Sequence, residues 1–89
     1  MKIGFLGPPG TYTEEAAKAA MADAVLVPYA SIEAVFDAVA QRQVARGLVP
    51  IENVIQGPVT ETLDNLFHRA DRVKIVDMLV LPILSLIHI

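Results

Sequence analysis

The sequence predicts an α/β fold: a three-layer unit with a mostly parallel sheet. Three observations predict it. Short apolar runs rich in Val, Ile and Leu recur at residues 2–6, 24–28, 47–51 and 73–81. The segments between them return apolar residues at helical rather than strand spacing. Residues suited to turns or helix caps stand at the junctions. Strict alternation of strands and helices implies parallel neighbours joined by right-handed crossovers.

The first strand, residues 2–6, ends in the turn Gly7-Pro8-Pro9-Gly10, and a helix is expected over residues 11–22. Thr11 and Glu14 have the spacing of a capping box, in which two side chains satisfy free N–H groups at the helix start. After strand 24–28, Ser31 is a good N-cap for a helix over 32–43. Its Ile32, Val35, Phe36 and Val39 form one buried stripe. Strand 47–51 is continuously apolar, as a parallel strand covered on both faces should be. A third helix is expected to start near Gly57-Pro58, since proline lacks the N–H that the first helical position does not use. Val59, Leu63, Leu66 and Phe67 are its expected inner face; Glu61, Asp64 and Arg69 are its expected solvated one.

Composition narrows the function classes. The 89 residues allow one small domain, 54% hydrophobic and 19% charged. That is too apolar for a disordered chain. With seven scattered Lys and Arg and a net charge of −3, no nucleic-acid surface is expected, because a phosphate backbone is held by clustered cations. There is no cysteine, hence no disulfide or thiolate metal site. His68 and His88 have no carboxylate at ligand spacing. No metal, cofactor or membrane partner is expected, and a cytoplasmic setting fits. Residues 76–89 carry Asp77 as their sole charge, but the run is short of the ~20 residues a membrane helix needs, and Pro82 interrupts it. It reads as a core strand.

In open α/β sheets ligands gather at the carboxyl ends of strands, beside helix N-termini. Two such ends have unusual sequence: residues 7–13 and 52–60. Gly7-Pro8-Pro9-Gly10-Thr11 resembles the start of a phosphate-binding loop, but the Gly-Lys-Ser/Thr that would hold nucleotide and magnesium is replaced by Tyr12-Thr13-Glu14. The loop is either a rigid strand-to-helix turn or such a turn that also contacts a ligand. Asn53 likewise either closes its loop or offers a donor and an acceptor to a carboxylate or hydroxyl.

Taken together, the two loops resemble the prephenate dehydratase family. Gly7-Pro8-Pro9-Gly10-Thr11-Tyr12-Thr13 with Ala16-Ala17 is similar to the family's first signature. Pro50-Ile51-Glu52-Asn53, then Gly57 and Val59, then Thr62-Leu63-Asp64 and Leu66 is similar to its second. The resemblance runs over about residues 2–83 and implies conversion of prephenate to phenylpyruvate, water and carbon dioxide in phenylalanine synthesis. It implies half of a two-lobed domain, similar to periplasmic binding proteins, with the active site between lobes. It assigns substrate contacts to Gly10, Thr11, Tyr12, Asn53, Gly57 and Pro58. The parent is expected to be a homodimer or homotetramer; a regulatory ACT domain is usual, and a fused chorismate mutase occurs. The family's catalytic Thr-Arg-Phe motif belongs to the second lobe and is absent here, so the chain is expected to be inactive alone. An arogenate dehydratase fragment, or a small binding module for aromatic acids, is the alternative.

Two departures stand out. Val54 replaces the Ser usual after Glu-Asn. After Leu81-Pro82-Ile83 the family continues x-His-x-Leu, whereas here Leu84-Ser85-Leu86-Ile87-His88-Ile89 follows. That hexapeptide can be encoded by CTG-TCT-CTT-ATA-CAC-ATC, which resembles a transposon end used in DNA library preparation. Residues 84–89 are therefore expected to be a non-native tail on an incomplete catalytic domain of residues 1–83.

Overall fold

The apolar run at residues 2–6 becomes the middle strand of a parallel trio. The computed structural model describes residues 1–7, 14–15, 18–19, 23–53, 57–80 and 84–89. In chain order these form β1 (Lys2–Leu6), β2 (Val25–Tyr29), α1 (Ile32–Ala40), β3 (Arg46–Asn53), β4 (Gly57–Pro58), α2 (Thr60–His68), β5 (Asp77–Val80) and β6 (Leu84–His88). Glu14, Glu15, Lys18 and Ala19 are helical, where the first helix is expected, and Lys18 pairs with Glu14 at 3.7 Å. Thr11 and its cap lie outside the described residues.

The sheet order is β2-β1-β3-β6-β5, with β4 attached to β3. β1 runs parallel to both β2 and β3, the parallel character that alternating strands and helices imply. Beyond β3 the sheet turns antiparallel, through β3–β6 and β6–β5. The expected last strand, 73–81, is shorter at its start because Val73 is spent on the core while Lys74, Ile75 and Val76 are exposed. The tail segment joins the sheet: β6 pairs on both sides, and Ile87 and Ile89 are buried.

α1 forms for the reasons visible in its sequence. The Ser31 hydroxyl accepts a hydrogen bond from the Ala34 N–H at 3.1 Å, and Ile32, Val35, Phe36 and Ala38 are buried. They pack with Val49, Val73, Ile87 and Ile89 in one apolar cluster, flanked by Leu6, Val39, Ile51, Val59 and Leu66. Gly47 permits this contact, since a Cβ there would lie 2.7 Å from Val35 Cγ1 and 3.0 Å from Val39 Cγ2. Phe5 pairs with Leu48; with Ile3 they are fully buried outside that cluster.

α1 stops at Ala40 rather than running on to Gln43. The Arg42 N–H donates to Val39 O at 3.1 Å and the Gln43 N–H to Ala38 O at 2.8 Å, the bond pair of a Schellman motif. That motif needs a left-handed residue, and Arg42 supplies it at φ +61°. Non-glycine residues pay about 1–2 kcal/mol for this conformation, and glycine returns part of the difference in unfolded-chain entropy. Arg42→Gly is expected to stabilise the chain by about 0.5–1 kcal/mol, read as a higher urea midpoint. A lower midpoint would show that the Arg42 side chain contributes more than its backbone costs.

The face that α2 buries differs from the expected one. Thr62 is fully buried, whereas Leu63 is 43% and Phe67 80% exposed; Val59 and Leu66 do face the core. Arg69, read as solvated, reaches instead across to α1. Its guanidinium lies 2.5 Å from Asp37 and 4.0 Å from Glu33, and its side chain is only 16% exposed. It also donates to Asn65 Oδ1 at 3.1 Å. These bonds and the Thr62 hydroxyl set the rotation of α2, overriding the apolar pattern at 63 and 67.

Candidate functional site

Because β1 and β3 are adjacent and parallel, both end at the same edge of the sheet. β1 closes at Gly7, whose N–H donates to Tyr29 O at 2.8 Å and ties the ends of β1 and β2 together. A cavity of about 410 Å³ is lined there by Gly7, Pro28, Tyr29 and Ala30. β3 runs on beyond this level. Phe5 pairs with Leu48, and β3 continues to Asn53, roughly 17 Å beyond Leu48 at ~3.3 Å per residue.

At its far end β3 folds back as a hairpin with β4. Glu52 pairs with Pro58 and Asn53 with Gly57. Gly57 has φ +81°, yet nothing lies within 4 Å of where its Cβ would be. Glycine is needed there for its backbone, not for space. Gly57-Pro58 does not begin the helix, as the sequence suggested; α2 starts at Thr60. Proline suits this short strand because it lies off the main path of the sheet, where a missing N–H leaves no broken ladder. The N-cap position of α2 is Val59, which makes no side-chain capping bond.

Two hydrogen bonds fasten the hairpin to α2. The Val59 N–H donates to Ile51 O at 2.9 Å, and the buried Thr62 hydroxyl donates to Pro50 O at 2.6 Å. Both acceptors flank a register shift: Pro50 pairs with Leu86 but Glu52 with Ser85, leaving Ile51 as the extra residue of a bulge. A second cavity of about 260 Å³ lies beside it, lined by Ile51, Glu52, Pro58, Leu63 and Met78.

Of the six residues expected to contact substrate, Asn53, Gly57 and Pro58 come together in this hairpin. Gly10, Thr11 and Tyr12 lie outside the described residues, as do Val54 and Thr13. Thr62 was read from the sequence only as part of the second signature, not as a buried residue. Its signal was available: it follows Val59 by three and precedes Leu66 by four, on the face those residues share. No helix among the described residues is long and apolar enough to cross a membrane.

Fold and edge together define an α/β lobe in which the parallel strands β1 and β3 end at one edge of the sheet, the kind of edge where such sheets hold small ligands. The family model described as prephenate dehydratase matches residues 3–88, and the chain belongs to that family. The prephenate dehydratase of Lactococcus lactis subsp. cremoris is 40% identical over 83 residues, covering 93% of this chain and 29% of that protein. A bifunctional chorismate mutase/prephenate dehydratase of Pseudomonas aeruginosa is 44% identical over 66 residues, covering 73% of this chain and 18% of that one. The X-ray structure of prephenate dehydratase from Streptococcus mutans superposes with a TM-score of 0.93 at 39% identity, covering 99% of this chain and 48% of that one. The chain thus spans less than a third of the length of these curated relatives.

Proposed function

We propose that this chain supplies one wall of the substrate cleft of a prephenate dehydratase, a lyase of phenylalanine synthesis acting in the cytoplasm. The observation that supports this is the adjacency of parallel β1 and β3, the two strands that lead into the family signatures. Gly10, Thr11, Tyr12, Asn53, Gly57 and Pro58 contact the substrate. Prephenate carries two carboxylates, and backbone N–H groups of rigid loops at helix starts stabilise such anions without a metal. Its conversion to phenylpyruvate expels the ring hydroxyl as water and the ring carboxylate as carbon dioxide. The departing hydroxyl needs a proton donor, which the family resemblance places in the Thr-Arg-Phe motif of a second lobe. That motif is absent from this sequence. The parent enzyme is a homodimer or homotetramer. Residues 84–89 are a non-native tail that fills a strand position; native DNA spelling a different sequence after Ile83 would support this.

The purified 89-residue chain is expected to form no phenylpyruvate above background, while prephenate shifts the amide signals of Gly10, Thr11 and Asn53. Measurable turnover would refute the division of labour between lobes. No shift at high prephenate concentration would refute the substrate wall itself.

A further inference from the structure

We propose that the cavity where β1 and β2 end receives the six-membered ring of the substrate, with Pro28 and Ala30 as its specificity-determining walls. The inference rests on the reading of this edge as a substrate wall. The cavity, about 410 Å³ and lined by Gly7, Pro28, Tyr29 and Ala30, is within the roughly 300–1,000 Å³ of small-molecule sites. The cavity beside Glu52, at about 260 Å³, is below that range. The larger cavity is placed by β1 and β2 alone. Leu6 pairs with Tyr29, and the Gly7 N–H extends the pairing to Tyr29 O. Pro28 and Ala30 stand exposed there, and Gly7 opens the first family signature.

The lining decides which part of prephenate fits. None of the four residues carries a charged side chain. The Gly7 N–H is already spent on Tyr29 O at 2.8 Å. The Tyr29 ring turns back over Gly4, where a Cβ would stand 2.8 Å from Cε2 and 3.2 Å from Cδ2. Gly4 comes two residues before Leu6, the partner of Tyr29, so the phenol is carried away from the edge. α1 begins just past Ala30, and helix starts draw anions. Here, however, the Ser31 hydroxyl already accepts the Ala34 N–H, and Glu33 sets a carboxylate in the first turn. A substrate carboxylate in this cavity would lose hydration with no cationic side chain of the lining to offset the loss. The ring has no such cost and gains apolar contact with the Pro28 ring and the Ala30 methyl.

The test uses the isotope-labelled 89-residue chain and two probes: phenylpyruvate, which keeps the ring, and pyruvate, which lacks it. Phenylpyruvate is expected to shift the amide signals of Gly7, Tyr29 and Ala30. Pyruvate at the same concentration is expected to leave them in place. Ala30→Leu fills the cavity, and since Ala30 is exposed and outside β2, the urea midpoint should not move. Its prephenate affinity should fall at least about tenfold, the scale of crowding an apolar pocket by a few carbons. Pyruvate shifts as large as those of phenylpyruvate would overturn the proposal, because a carboxylate would then occupy the cavity. So would a folded Ala30→Leu chain with unchanged prephenate affinity. The probe pair decides on the wild-type chain even if the leucine variant does not fold. Should prephenate and phenylpyruvate move Gly10, Thr11 and Asn53 but not Gly7, Tyr29 and Ala30, the ring subsite fails and the substrate wall stands. Should they move none of these amides, both fail.

Discussion

Replacing Phe36 with alanine is expected to lower the unfolding free energy by about 3–5 kcal/mol. Phe36 is among the largest fully buried side chains, and it lies in the cluster where α1 meets β3, β6 and the chain at Val73. Truncation forfeits the transfer of its ring from water and leaves a cavity between elements that cannot all close in. A helix anchored at Ser31 and again at the Arg42 turn is held at both ends, so it cannot tilt inward to fill the space. At roughly 0.05–0.15 kcal/mol per residue an 89-residue domain has only about 4–13 kcal/mol to lose. The variant is expected to be partly unfolded at 37 °C, with a sharply lower urea midpoint and an unchanged slope. A loss below about 1 kcal/mol would mean that this cluster is not the packed core.

The second large effect is expected at Gly47. An added methyl would stand 2.7 Å from Val35 Cγ1, 3.0 Å from Val39 Cγ2 and 3.2 Å from Ile89 Cγ1. Both valines are β-branched helix residues, with one strongly preferred rotamer each, and Val35 is fully buried. They cannot swing aside, so α1 must lift from the sheet. Gly47→Ala is expected to cost about 2–3 kcal/mol, well above the ~0.4–1 kcal/mol that losing glycine's unfolded-state freedom returns. Val35→Ala in the same chain should recover part of the loss. The pair would then be non-additive, as contacting residues are. Additive losses in chemical denaturation would place the clash elsewhere.

What the sequence showed and what it hid have separable causes. β1, β2, β3 and α1 were legible because apolar runs, a helical stripe and the Ser31 cap all pointed the same way. The end of α1 was not, because its left-handed stop is Arg42, where glycine would have announced it. The inner face of α2 was misjudged because hydropathy favoured Leu63 and Phe67, while the rotation is set by polar groups, Thr62 on Pro50 and Arg69 on Asp37. Such bonds leave no periodic trace. The Gly57-Pro58 pair was read as a helix start since proline is common there; the hairpin to Asn53 depends on a positive φ that the same dipeptide equally allows. At the site, the family signatures named Asn53, Gly57 and Pro58. The antiparallel β3–β4 pairing that brings them together is a register property of two strands, and a single strand does not display it.

The substrate-wall reading also separates stability from function at this edge. Phe36 and Gly47 act through the core beneath the sheet, so their variants should lose folded population without changing what the folded fraction binds. Asn53 is the reverse case. It terminates β3, and its replacement should alter substrate handling more than the urea midpoint.

The most direct measurement grafts residues 1–83 of this chain in place of the matching segment of the Streptococcus mutans prephenate dehydratase and follows phenylpyruvate formation, with and without Asn53→Ala. The expected result is turnover by the graft, falling at least about tenfold in kcat/KM on Asn53→Ala while the fold is kept, the scale of one lost transition-state contact. A folded graft whose turnover is indifferent to Asn53→Ala would contradict the claim that this edge is a wall of the active site.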